Sequence, residues 1–197
     1  MQKSGNKIVF IVGMPGSGKS IVSDELVKRG FAFLRFGQIT LDEAKRRGVA
    51  GEAEERKIRE GFREKHGMAA FALLNMPKLD ELLESSNVVV DGLYSWAEYK
   101  VLKEKYGENL NVIAVYAPPG LRHKRLENRN TKQKNDENLR FRSFTKEEAI
   151  SRDFAEIEKG DKGGPIAMAD FTIINIFSIK AVADALEEIL AQINDSH

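Results

Sequence analysis

The feature that most constrains this chain is the octapeptide GMPGSGKS at residues 13–20, which follows directly on the apolar run IVFIV at 8–12. Gly13, Gly18, Lys19 and Ser20 satisfy the pattern G-x-x-x-x-G-K-[ST]. Each residue type has a physical task. Glycines let the backbone turn tightly, so that successive N–H groups, including those of Met14, Pro15's neighbours, Gly16 and Ser17, converge on phosphate oxygens. A helix opening at the end of the loop, through Ile21, adds its N-terminal dipole to the same anion site. The Lys19 ammonium reaches the β- and γ-phosphates, and the Ser20 hydroxyl is a ligand for magnesium. A chance glycine-rich turn is the alternative, but it would not require a buried strand before it and a helix after it. Residues 13–21 are therefore expected to bind a nucleoside triphosphate, ATP, as its Mg²⁺ complex.

The rest of the chain supplies the context such a loop needs. The five-residue β-branched run before it reads as a strand buried on both faces of a parallel sheet. Helical spacing over 20–29 stops at Gly30, and 31–36 is a second strand. From 39 to 84 the pattern is helical and charged, punctuated at Gly48, Gly51, Gly67 and Pro77, which predicts three or four helices without a strand between them. Strands are expected again at 87–91, 111–117 and 171–175, with helices at 95–106, 119–128, 146–159 and 179–193. The run 128–143 is almost wholly polar and reads as a mobile surface segment, and GDKGG after the next helix reads as a turn. Strands alternating with helices predict a parallel sheet covered on both faces. The expected organisation is one domain over 1–197, with an acceptor-side helical insertion at about 37–85 and a lid at about 128–162.

Composition narrows the partners. Lys plus Arg (31) balances Asp plus Glu (30), so no global charge draws the chain to nucleic acid or an anionic membrane. There is no cysteine, which removes disulfides and thiolate metal sites, and three widely spaced histidines (His66, His123, His197) make no zinc motif. No run approaches the ~18 apolar residues of a membrane span, and no signal-peptide pattern precedes the first strand. The expectation is a cytoplasmic protein, monomer or homodimer.

In GMPGSGKS, FGQITLDEAKRRG, REKHG, VVVDG, RLENR and ADFTIIN, taken in order, the chain resembles the nucleotide-kinase branch of P-loop proteins. It is most similar to adenylate kinases, dephospho-coenzyme A kinases and their archaeal-type relatives. The resemblance implies an α/β P-loop NTPase three-layer sandwich built on a five-stranded parallel sheet. It implies that Asp91 orders the water shell of magnesium, that Arg125 stacks on the adenine and Arg129 meets the phosphates, and that Arg152 closes over the transferred group. Asn175 would present its loop to the base. Each has a plainer reading: a turn Asp, a solvated basic helix face, a surface arginine, a turn residue. Arg140 and Arg142 are weaker lid candidates.

The departures fall on the acceptor side. Adenylate kinases carry T-G-D-x-x-R after the second strand, where this chain has Phe36, Gly37, Gln38, Ile39, Thr40 and Leu41. A second phosphate-gripping arginine, four residues beyond the Asp of the third strand, is replaced by Ser95. Each lost charge-assisted hydrogen bond removes roughly 1.5–3 kcal/mol. Replacement cations lie in 39–67, with Arg63 and His66 the first choices; Gln38 and Gly92 complete the expected acceptor surface. Three functions remain open: a kinase for a nucleotide-like small molecule, a nucleotide-dependent switch or slow ATPase with a macromolecular partner, and a nucleic-acid kinase using the basic stretch 122–142, which the balanced charge disfavours.

Overall fold

A computed structural model describes residues 5–129 and 144–195. The polar run expected to be mobile, with Arg140 and Arg142, lies outside the described residues, as does His197. Five strands, β1 (Ile8–Val12), β2 (Ala32–Arg35), β3 (Val88–Asp91), β4 (Leu110–Tyr116) and β5 (Phe171–Ile174), form one parallel sheet in the order β2-β3-β1-β4-β5. The period of two along the strands sorts the core into two faces. Ile8, Phe10, Val12, Val88, Val90, Val112 and Ala114 point into one cluster; Val9, Ile11, Val89, Ile113, Val115 and Ile173 point into the other. Every residue of β1 is buried, so the continuous apolar run is what its central place in the sheet demands.

Helices cover both faces. The first cluster is closed by α4 (Ala70–Leu83) and α5 (Trp96–Tyr106), through Phe71, Leu79, Tyr99 and Leu102. The second is closed by α1 (Lys19–Lys28) and α9 (Ile179–Asp195), through Val22, Leu26, Val182, Leu186 and Ile189. The expected three-layer α/β sandwich is thus the observed one. Between β2 and β3 the insertion consists of three helices: α2 (Gln38–Arg47), α3 (Glu52–His66) and α4. Pro77 does not punctuate them. It lies inside α4, where its missing N–H leaves the carbonyl of Leu73, a residue 43% exposed on the outer surface, to water.

After β4 come α6 (Pro119–Glu127), α7 (Lys146–Glu158) and a short helix α8 (Gly163–Ala167). The GDKGG segment therefore turns directly into α8, whose Gly164 packs against the ring of Trp96. Thr145 and Glu148 form a reciprocal capping box that fixes the start of α7. Among the described residues no helix is long and apolar enough to cross a membrane.

The sheet order also locates the site. Because β3 and β4 flank β1, the C-terminal ends of all three open beside the glycine-rich loop, where crossovers leave in opposite directions. Register pairs Ile11 with Asp91, and Asp91 with Arg35 on β2.

Candidate active site

The loop between β1 and α1 is braced from three directions. Gly18 caps α1 in the left-handed region (φ 99°), and a β-carbon there would collide with the side-chain amide of Asn175. That amide donates to the Ser17 carbonyl (2.8 Å). Arg125 donates to the Asn175 carbonyl (2.9 Å) and lies 3.5 Å from that of Gly16. Arg122, only 4% exposed, donates to the Pro15 carbonyl (3.0 Å) and the Ala117 carbonyl (3.0 Å). Arg122 and Arg125 of α6 and Asn175 after β5 thus take up loop carbonyls, while of the loop's N–H groups that of Ser17 bonds the Met14 carbonyl (3.2 Å). The Ser17 hydroxyl is buried without a partner.

Lys19 folds across the loop, donating to the carbonyls of Gly13 (2.9 Å) and Met14 (3.3 Å). Burial, reinforced by nearby Lys162 and only partly offset by Asp91 and Glu156, lowers its ammonium to about 8. Ser20, in the first turn of α1, and Asp91, at the end of β3, supply hard oxygen donors. No cluster of three acidic or histidine side chains that could hold a metal occurs among the described residues. Two such oxygens fit a Mg²⁺ that keeps its waters and arrives on a triphosphate, rather than one held in an all-protein cage.

On the lid side the arrangement differs from the expected one. Arg125 and Arg129 do not share a helix face, because α6 ends at Glu127 and Asn128 caps it, its N–H on the Lys124 carbonyl (3.0 Å). Arg129 lies beyond the helix, where burial and the charge of Arg152 lower its guanidinium. Arg125 and Asn175 are engaged with each other and with the loop. Arg152 donates to Glu156 (3.1 Å), and Lys162 bonds the other oxygen of the same carboxylate. Burial works against that carboxylate, but Lys162, Arg152 and Lys19 hold it at about 2. Two cations therefore bond one acidic side chain at the loop's mouth, and Lys19 acts on it at longer range.

Behind α7 lies a buried ion pair. Both terminal nitrogens of Arg122 meet Asp153 (2.8 and 2.7 Å), and His123 Nε2 lies 2.9 Å from the same carboxylate. Burial opposes the Asp153 charge, yet these bonds outweigh it and hold the carboxyl below its ordinary value. Arg122 so links the loop to the helix that carries Arg152.

The acceptor candidates are scattered. Gln38 begins α2 and donates to Asp42 (3.0 Å) on an exposed face. His66 ends α3, half-buried. Gly92 (φ 115°) and Gly37 are covered by the Tyr94 phenol; β-carbons there would come within 2.5 and 2.8 Å of its hydroxyl. Ser95, fully buried, accepts from Glu98 N–H (3.1 Å) as the α5 cap and donates to the Met68 carbonyl (2.9 Å). No arginine fits that buried position. Glu98, also fully buried, accepts from Tyr94 N–H (2.8 Å). Burial, only partly countered by that bond and by Arg63, raises its carboxyl to about 7.

Arg122, Asp153, Glu156, Lys162, Tyr94 and Glu98 escaped the sequence reading. Nothing in one sequence separates a buried arginine in GLRHKR from its exposed neighbours, and Lys162 sat in what read as a turn.

Comparisons place this geometry among known proteins. A family model described as an AAA domain matches residues 9–148. A UPF0200 protein of Thermococcus gammatolerans is 36% identical over 95% of this chain and 97% of its own length. Two crystal structures share the fold: a gluconokinase from Sinorhizobium meliloti (TM-score 0.56, 14% identical, all of both chains) and the shikimate kinase of Acinetobacter baumannii in complex with shikimate (TM-score 0.54, 20% identical, 98% and 97% covered). The loop, the sheet order and the near full-length match together assign the chain: it belongs to the AAA domain family and to the UPF0200 proteins.

Proposed function

We propose that this chain is an ATP-dependent small-molecule kinase that moves the γ-phosphoryl group of ATP to a nucleotide-like acceptor. The observation that carries the reading is the bonding of Arg152 and Lys162 to the Glu156 carboxylate beside the loop, with the Lys19 charge acting on it at longer range. An anionic side chain held by two cations in the field of a third marks where a transferred phosphoryl group would be stabilised. Bound Mg²⁺, held by Ser20 and through water by Asp91, would neutralise charge on the β- and γ-phosphates. The loop N–H groups and Lys19 bind the triphosphate, and Arg129 and Arg152 clamp the transferring group as Glu156 yields its place. The acceptor oxygen bonds to the γ-phosphorus as the bond to the bridging oxygen breaks, and ADP leaves with the electron pair. The gluconokinase and shikimate kinase that share the fold support a small-molecule acceptor.

The test is incubation of the full chain with Mg·ATP and a panel of nucleotides, coenzyme precursors and hydroxylated metabolites, with products identified by mass spectrometry. A phosphorylated acceptor is expected. ATP hydrolysis with no phosphorylated acceptor overturns the proposal in favour of a nucleotide-driven switch.

A further inference from the structure

We infer that Glu98 and Arg63 form the acceptor-recognition pair, and that the acceptor is a polyhydroxylated molecule carrying at most one negative charge rather than a dianionic monophosphate. The inference rests on the reading as an ATP-dependent small-molecule kinase and departs from it in the acceptor, which is then not a nucleotide. Glu98 is fully buried, and only its Oε2 is engaged, by Tyr94 N–H. Its Oε1 is buried with no partner. The Nε of Arg63, on α3, is in the same condition. Two unmatched buried polar atoms on different elements are costly unless something else completes them.

They belong to one wall. The Arg63 guanidinium lies 5.9 Å from the Phe71 ring, the Phe71 and Tyr94 rings meet edge-on at 5.7 Å, and Tyr94 N–H holds Glu98. The charge of Arg63 is felt at Glu98, and that of Asp91 at Tyr94. The Tyr94 hydroxyl in turn lies over Gly37 and Gly92, which follow β2 and β3. The pair therefore stands on the β2–β3 side of Asp91, across from the loop, where an acceptor has to approach.

The chemistry of the pair selects the ligand. Above about pH 7, where Glu98 is ionised, it only accepts hydrogen bonds, so its Oε1 there matches a ligand O–H and repels a phosphate oxygen. Gripping a dianion takes several charge-assisted donors. Here Lys162 is committed to Glu156, and Ser95 and Leu41 stand where arginines would be needed. One guanidinium carries one positive charge, which balances a single carboxylate or binds a neutral oxygen. With Glu98 holding one hydroxyl and Arg63 the far end, another hydroxyl oxygen bonds to the γ-phosphorus. The bond to the bridging oxygen breaks, ADP takes the electron pair, and the hydroxyl proton leaves to solvent water.

The experiment offers the full chain Mg·ATP with either D-gluconate, shikimate and glycerol, or AMP, CMP, GMP and UMP, and identifies products by phosphorus NMR. A phosphomonoester from the first set is expected. Glu98→Gln keeps the bond to Tyr94 but turns the free oxygen into a donor, and Arg63→Met removes the N–H. Each should raise the acceptor KM about tenfold to a hundredfold, with the ATP KM within about twofold and an unchanged circular-dichroism spectrum. A nucleoside diphosphate from the second set alone overturns the inference and leaves the kinase reading standing. A phosphomonoester formed with a KM that neither variant moves also overturns it. No phosphorylated product from either set overturns the inference, while the kinase reading stands or falls on the wider panel above.

Discussion

Two regions around the loop treat buried polar groups differently. On the loop side Arg122, Asp153, Arg125 and Asn175 are hydrogen-bonded to one another and to loop carbonyls, and the Ser17 hydroxyl is the exception without a partner. On the β2–β3 side the Oε1 of buried Glu98 and the Nε of half-buried Arg63 are both left over. A satisfied network contributes rigidity; an unsatisfied one lowers stability and keeps that free energy available to whatever completes it. On the proposed reading, the contrast separates a part that holds a triphosphate of fixed geometry from a part whose bonding its substrate would finish.

Removing the centre of the donor half is the strongest way to break the contrast. Lys19→Met should lower kcat about a thousandfold or more, because a positioned cation on the transferring group supplies that much in phosphoryl transfer; single-turnover rates with saturating ATP check it. Asp153→Asn comes next. It leaves Arg122 charged and buried without its partner, which costs about 3–5 kcal/mol and should lower the melting temperature by about 10 °C. Nucleotide affinity should fall with it, since Arg122 also holds the Pro15 carbonyl; calorimetric melting and ATP titration read the two effects.

The smallest effect sharpens the comparison from the other side. The Glu98 carboxyl titrates at about 7 in the fold against 4.5 as its ordinary value. The fold thus holds the proton more tightly than the unfolded chain does, so stability is undiminished below pH 4.5 and falls as pH rises to about 7. Glu98→Gln removes this loss. Its melting temperature should gain on the wild type between those pH values and then level off, with a benefit at pH 8 of about 1–3 kcal/mol. A pH-independent difference would remove burial of an ionisable group as the cause.

The sheet and the loop were legible because their signals are local. A β-branched run, a glycine pattern and the period of the flanking helices all depend on neighbours in sequence. Asp91 was legible because it ends a recognisable strand. The partners that complete the site were not, because burial of charge is settled by packing between distant segments. Arg122 and Asp153 are 31 residues apart, and Asn175 and Ser17 are 158 apart. The relation of Arg125 to Arg129 was illegible for a related reason: whether residues four apart share a helix face depends on where the helix ends, and Asn128 caps it between them. Ser95 read as a missing arginine, whereas in the fold it is a cap that no longer side chain can replace.

The brace that Asn175 places on the loop ties its shape to a distant part of the chain. The Ser17 carbonyl is held by an amide 158 residues further along, delivered by β5. The loop cannot take its braced shape until β5 has paired with β4, so its geometry reports that this edge of the sheet is closed.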